Sequence, residues 1–98
     1  MEPTVEITDG PVVLRVSSKS EPQAVAMAIF KSIFDSSKYP QVRAIGHGAV
    51  GQAVKAIAIA RGHTAQKGVD LSCNIGFETI LNDKGEEISA MVFKTFSR

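Results

Sequence analysis

Apolar residues along the chain alternate between a strand pattern and a helix pattern. Residues 12–17 are rich in β-branched side chains, which is typical of a strand. Residues 21–35 carry apolar positions at helical spacing and predict a helix. Pro22 in the first turn and a capping box of Ser20 and Gln23 predict its start. The apolar positions form two stripes, so we expect other parts of the protein to pack on two sides of this helix. One stripe is Val25, Ile29 and Ile33, and the other is Met27, Phe30 and Phe34.

The second half of the chain predicts another strand and helix, followed by two consecutive strands. Residues 41–46 predict the strand and residues 48–61 the helix, with Gly62 as a left-handed C-terminal stop. Residues 69–77 and 86–96 have the pattern of long strands, joined by an Asn-Asp-Lys-Gly turn. The order β-α-β-α-β-β predicts an α/β fold, a two-layer sandwich with a mixed four-stranded sheet and two helices.

The second predicted helix is more apolar than contact with one sheet requires. Its apolar arc spans about 200°, whereas a surface helix needs a stripe of about 100°. A ridge of alanines lies beside a ridge of larger aliphatic residues. Because the chain is short, we expect the additional apolar surface to contact another copy in a dimer or tetramer. The predicted contact residues are Ala49, Val50, Ala53, Val54 and Ile57.

The length and composition fit one globular domain. With 98 residues, 44% of them hydrophobic, the chain can bury a single core. We expect the domain to span residues 12–98 and residues 1–11 to form an N-terminal extension, in which Val5 and Ile7 could add an edge strand. The longest uncharged run, residues 44–54, falls short of the roughly 18 residues of a membrane helix. The acidic N-terminus differs from a signal sequence, so we expect a cytoplasmic protein without a membrane partner.

Charge is distributed unevenly, although the formal net charge is only +1. Basic and imidazole groups concentrate between residues 19 and 67, whereas acidic residues concentrate in the C-terminal hairpin. One face of the molecule is therefore predicted to carry a positive field, which suits a polyanionic partner. The low total charge disfavours a simple histone-like coat.

Three segments of the chain resemble a known family. They are LRVSSKSEPQAVAMAI, VRAIGHGAVGQAVKAIAIARG and GVDLSC. Through them, residues 12–95 closely resemble the stage V sporulation protein S family, whose fold is similar to that of the Alba chromatin and RNA-binding proteins. The resemblance implies an Alba-like domain, self-association and nucleic-acid binding. It also implies that Lys19, between the first strand and the first helix, stands where the Alba pattern carries its basic contact.

Gly46, Gly48 and Gly51 form the pattern G-x-G-x-x-G immediately before the second helix. In a dinucleotide-binding fold, an acidic residue about 20 positions later would bind the ribose. Asp70 has that spacing, but it begins its strand and would lie at the opposite edge of the sheet from the glycines. This interpretation is therefore disfavoured. Two others remain: the glycines allow a turn and close backbone packing, or their free amides also bind a nucleic-acid phosphate.

The predicted function is nucleic-acid binding by a homo-oligomer, mainly through the phosphate backbone of DNA or RNA. The phenylalanines occupy core or interface positions, which disfavours base stacking and favours a duplex or structured RNA. The alternative is a protein that keeps the fold for assembly or regulation without binding nucleic acid, which the low net charge and Glu21 favour. The predicted nucleic-acid contacts are Lys19, Arg43, Gly46, His47, Gly48 and Lys55.

Catalysis and metal binding have little support in the sequence. His47 and His63 lack an evident third ligand. Cys73, the only cysteine, alternates with Leu71 and Ile75 on a strand and is expected to be buried and inert. We therefore expect a protein that is not an enzyme and that has no cofactor or metal.

Overall fold

The computed structural model describes residues 4–6 and 12–98, which form five strands and two helices. In chain order these are β1 (Thr4–Glu6), β2 (Val13–Val16), α1 (Pro22–Asp35), β3 (Gln41–Ala44), α2 (His47–Ala65), β4 (Leu71–Leu81) and β5 (Glu87–Ser97). The predicted order β-α-β-α-β-β is confirmed from β2 to β5. Val5 lies in β1, as suggested for an edge strand, whereas Ile7 lies outside the described residues.

The strands form one mixed sheet in the order β1-β2-β3-β5-β4. β2 and β3 are parallel neighbours joined by the crossover through α1, and the other pairs are antiparallel. Strands β2 to β5 are the predicted mixed four-stranded sheet, to which β1 adds a three-residue edge. Both helices pack on one face of this sheet. The predicted α/β two-layer sandwich is therefore confirmed, and it is consistent with an Alba-like fold.

Alternation along the strands separates the face that both helices cover from the opposite face, on which neither described helix packs and which is called the open face below. Leu14, Val42 and Phe93 point from three strands into the core that they share with the helices. α2 contributes four alanines that are at most 2% exposed to the same core: Ala49, Ala53, Ala56 and Ala60. Because alanine is small, this ridge lets the backbone of α2 lie close to α1 and to the sheet.

Helix α1 has Pro22 at its first position as predicted, but the predicted capping box is wrong. Glu21 is the N-cap residue and makes no side-chain cap hydrogen bond. The hydroxyl of Ser20 is buried and accepts a hydrogen bond from the backbone N–H of Ser17 at 3.0 Å. Ser20 therefore stabilises the turn before the helix rather than the helix itself.

Helix α2 continues beyond Gly62, so the predicted left-handed stop at this glycine is wrong. The left-handed residue is Gly68, whose φ of +80° allows the chain to turn towards β4. Thr64 is fully buried, and its carbonyl accepts hydrogen bonds from the N–H groups of Lys67 and Val69. Burial of Thr64 stabilises the last turn, and this tertiary contact is absent from the local pattern.

Strands β4 and β5 are each 11 residues long and extend beyond the end of β3. Ala44, the last residue of β3, pairs with Met91, which in turn pairs with Phe77. Residues 78–90 continue past this level and are called the hairpin arm below. The predicted turn at its tip is confirmed, because the Asn82 side chain accepts two backbone hydrogen bonds and Gly85 has a φ of +77°.

Candidate nucleic-acid interface

The loop after β2 and the turn into α2 lie side by side at one edge of the sheet. Because β2 and β3 are parallel and end at the same level, the segments that follow them meet. Gly48 is so close to Ser18 that an added Cβ would lie 2.8 Å from the Ser18 Cβ. We call this region, residues 17–21 and 45–49, the loop edge.

The glycines of G-x-G-x-x-G differ in what the structure requires of them. Gly46 precedes α2 with a φ of +88°, a conformation that other residues rarely adopt. Gly48 makes room for Ser18. Gly51, in contrast, has open space where a Cβ would lie. The turn interpretation is therefore confirmed for Gly46 and close packing for Gly48, whereas close packing within the chain is wrong for Gly51.

The start of α2 can accept an anion at the loop edge. The first N–H groups of a helix have no partner within the helix, and they carry its partial positive charge. Gly46, the N-cap residue, has no side chain with which to cap them. Gly46, His47 and Gly48 are all exposed. The first turn of α2 therefore lies at an exposed surface, where an anion could approach it.

Three of the predicted basic contacts surround the loop edge. Lys19 and His47 are exposed within it. Lys55 lies two turns along α2, with its Nζ 3.4 Å from Gln52 Oε1. The Nε2 of Gln52 donates in turn to the carbonyl of Ser20 at 2.9 Å. Gln52 therefore connects Lys55 to the loop that carries Lys19.

Arg43 lies apart from this group, on the open face of the sheet. Its Nη2 is 2.7 Å from Oε1 of Glu78, and its side chain is only 16% exposed. Because β5 separates β3 from β4, the guanidinium crosses β5 to reach this carboxylate. Arg15, which was not among the predicted contacts, is exposed beside Arg43 in the parallel register. Its position between buried Leu14 and Val16 is the sequence signal for an outward-facing arginine.

Asp70 lies at the opposite end of α2 from the glycines, as the sequence argument expected. It precedes β4, and its Oδ1 is 3.4 Å from Nη2 of Arg61, near the C-terminal end of α2. The carboxylate and the glycine amides therefore face different edges of the domain. The geometry does not support a dinucleotide site.

The described residues give little support for catalytic or metal chemistry. Within them, no three His, Cys, Asp or Glu side chains are grouped so that they could hold a metal ion. Cys73 is partly buried, where full burial was expected, and this burial raises the pKa of its thiol. A raised pKa leaves less of the nucleophilic thiolate at neutral pH.

The fold and the loop edge agree with a family match. The sequence model of the family described as stage V sporulation protein S matches residues 12–98. The chain belongs to the stage V sporulation protein S family. The match includes the whole sheet except β1, both helices and the loop edge. Membership implies a role related to sporulation, and the family is one of regulatory proteins rather than a known enzyme family.

Neither helix in the described part of this family member has the length and apolarity needed to cross a membrane.

The stage V sporulation protein S domain also exposes apolar side chains on the helix-covered side of its sheet. Ile75 and Phe77 of β4 lie on the same side as buried Phe93, yet they are 60% and 80% exposed. Leu81, further along the same side of the arm, is 67% exposed. The helices therefore leave this part of β4 without cover.

One stripe of α2 borders these exposed residues. Val50, Val54 and Ile57 share a stripe with Arg61, which contacts Asp70 just before β4. The stripe therefore faces the β4 side of the molecule, and Val54 on it is 51% exposed. We call these six residues the apolar face: Val50, Val54, Ile57, Ile75, Phe77 and Leu81.

Two of the predicted subunit-contact residues have almost no accessible surface. Ala49 and Ala53 are 2% and 0% exposed, because they pack in the core of their own chain. They are core residues, so a contact through α2 would use Val50, Val54 and Ile57 instead. That a second copy binds there stays a prediction.

Proposed function

We propose that this stage V sporulation protein S family member is a homo-oligomer that binds the phosphate backbone of DNA or RNA at its loop edge. The observation that carries the proposal is the contact between Gly48 and Ser18. It places the exposed loop of Lys19 beside the uncapped start of α2. A phosphate bound there would meet helix amides and a lysine ammonium together.

Acidic groups limit how a polyanion can approach. Glu21 and Lys55 line the same open depression, so the charge of this lysine is partly offset. The hairpin arm extends past the end of β3 and carries Asp83, Glu86 and Glu87 near its turn. We infer that nucleic acid approaches from the side of β2 and β3, away from the arm.

Fluorescence anisotropy with labelled duplex DNA and labelled structured RNA tests the proposal. We expect binding that weakens as salt rises from low to physiological concentration, because bound phosphates release counterions. Lys19→Glu should lower the affinity about tenfold or more at low salt, since it turns an attraction into a repulsion in every subunit. Lys31→Glu, at an exposed position on α1, is the charge-matched control and should have a much smaller effect. No binding to either probe, or equal losses in the two variants, would contradict the proposal.

Self-association in this proposal uses the apolar face, and its occupant is a second copy of the chain. Phe77 is 80% exposed and Val54 is 51% exposed. Covering such side chains would stabilise an oligomer by about 25 cal/mol for each Å² of apolar surface removed from water. A two-fold contact would let α2 of each copy cover β4 of the other. Two loop edges in one assembly would also add their phosphate contacts.

A regulatory or assembly protein without nucleic-acid binding is the second candidate. The observation that favours it is the ion pair of Arg43 with Glu78, which engages a predicted phosphate contact within the chain. In that case the apolar face would form the assembly, and neither nucleic-acid probe would bind. Light scattering together with anisotropy separates the candidates, because only the first requires both an oligomer and salt-sensitive binding.

A further inference from the structure

The open face of the sheet carries a group of polar and basic side chains. Alternation puts Arg15, Arg43 and Lys94 on this face, opposite to the core residues beside them in sequence. Both described helices lie on the other side. Asn74 pairs with Lys94 in the register and lies on the open face with it.

The charge on this face is positive, although the whole chain is nearly neutral. Three cations at described positions, Arg15, Arg43 and Lys94, lie across neighbouring strands. Within β2 to β5, the acid on this face is Glu78, and it pairs with Arg43. The face therefore complements an anionic partner, whereas the arm beyond it does not.

Phe96 adds an aromatic surface to the basic group. It pairs with Ser72 at the far end of β5 and is 37% exposed on the open face, so the predicted core or interface position is wrong for this phenylalanine within the chain. The neighbouring Thr95 is buried, which confirms that Phe96 points away from the core. An exposed phenylalanine beside a lysine on an open sheet is a surface on which a nucleobase can stack.

A continuous route connects this face with the loop edge. An open depression of about 170 Å³ is lined by Arg15, Ser17, Arg43 and Ile45, so it reaches from the loop edge onto the open face. Lys94 lies about 7 Å further along β5 from the level of Arg43, and Phe96 about 7 Å beyond Lys94. Basic and aromatic groups thus follow one another along the strand direction.

A second depression on this face offers room for a base. It measures about 410 Å³ and is lined by residues 74–78 with Val92 and Lys94. Gly76 leaves open space where a side chain would stand. The exposed Asn74 amide at one end of this depression can donate and accept hydrogen bonds.

We propose that the open face binds a single-stranded segment of the nucleic acid whose backbone is held at the loop edge. Phe96 stacks on a base, Lys94 contacts a phosphate, and Asn74 hydrogen-bonds to a base edge. This inference rests on the proposed function and adds a single-strand surface to it. With one aromatic residue, the face favours single strands over duplexes without reading a long sequence.

Anisotropy with a short unstructured single-stranded RNA, compared with a blunt duplex, tests this inference. Phe96→Ala should weaken binding of the single strand about 5- to 150-fold, the range for loss of one stacked base. Phe96→Tyr should restore most of the affinity, because tyrosine also stacks. Lys94→Ala should weaken single-strand binding and reduce its salt dependence. Lys31→Ala on α1 is the control and should change neither the affinity nor its salt dependence. Duplex affinity should change little in the Phe96 variants.

The outcomes separate this inference from the proposed function. If the unmodified protein binds the duplex but Phe96→Ala and Lys94→Ala bind the single strand normally, only the open-face inference is overturned. If Phe96→Ala weakens binding of the duplex and of the single strand equally, the proposal of a surface selective for single strands is overturned. If the unmodified protein binds neither probe, both the inference and the proposed function fail.

Discussion

Gly48 and Ser18 touch so closely that a Cβ on Gly48 would lie 2.8 Å from the Ser18 Cβ. This contact joins the loop that follows β2 to the first turn of α2. It explains why a glycine stands here without invoking a nucleotide. The same contact gives the candidate interface its shape, so its consequences for stability and binding can be measured together.

Alanine substitutions should distinguish Gly48 from the other glycines of α2. Gly48→Ala should lower the free energy of unfolding by about 1–3 kcal/mol, because the new methyl group forces the loop away. It should also weaken nucleic-acid binding. Gly51→Ala and Gly62→Ala, where open space surrounds the site, should stabilise the protein by about 0.5–1 kcal/mol through helix propensity. Urea unfolding measures all three, and a stabilised Gly48→Ala would show that the loop yields freely.

Charged substitutions at two adjacent positions should separate folding from assembly. Ala53→Glu should unfold the domain or destabilise it by about 3 kcal/mol or more, because it places a carboxylate in the core. Val54→Glu, one residue away and 51% exposed, should leave the fold intact and reduce the oligomer to monomers. Circular dichroism and light scattering measure the two effects. An unchanged molar mass for Val54→Glu would remove α2 from the subunit contact.

Removal of the Glu78 charge should strengthen nucleic-acid binding. Glu78→Gln releases Arg43 from its ion pair and makes the open face more positive, so we expect a several-fold higher affinity at low salt. The cost in stability should be at most about 1 kcal/mol, as for other partly exposed pairs. Glu87→Gln on the hairpin arm makes the same charge change further away and should have a smaller effect. Equal effects of the two variants would mean that Arg43 makes no specific contact.

The thiol of Cys73 should react slowly while the protein is folded. Burial raises its pKa, so at a given pH the folded protein contains less thiolate than the unfolded chain. At about pH 8, alkylation by iodoacetamide should therefore be slower in the native protein than in urea. The difference should narrow as the pH rises through the folded-state pKa. Equal rates at every pH would show that the thiol is open to solvent.

The helices and strands of this protein can be predicted from the local sequence. Residues that must face the core recur with the period of the helix or strand that carries them. The stripe of Val25, Ile29 and Ile33 identified α1, and all three side chains are buried. The Asn-Asp-Lys-Gly segment identified the hairpin turn. The wrong predictions concern the ends of the helices, where contacts with distant residues outweigh local signals. Helix α2 continues past Gly62 because Thr64 is buried, and Ser20 stabilises a turn instead of capping α1.

The placement of functional groups depended on contacts between residues far apart in the chain. No spacing indicates that Arg43 reaches Glu78 across β5, because that pairing requires the strand order of the folded sheet. Likewise, the helix period defined two adjacent ridges on α2, but only packing showed that Ala53 is buried in the core and that Val54 is half exposed.

The sequence by itself determined the order of elements, the two-layer class and the family, since these depend on the period and identity of neighbouring residues. Only the tertiary structure decided which basic groups share a surface, which glycine is needed for packing and which apolar residues stay exposed. Those properties depend on how strands and helices from separate parts of the chain meet. The contacts between them contribute free energy that no local segment of the sequence contains by itself.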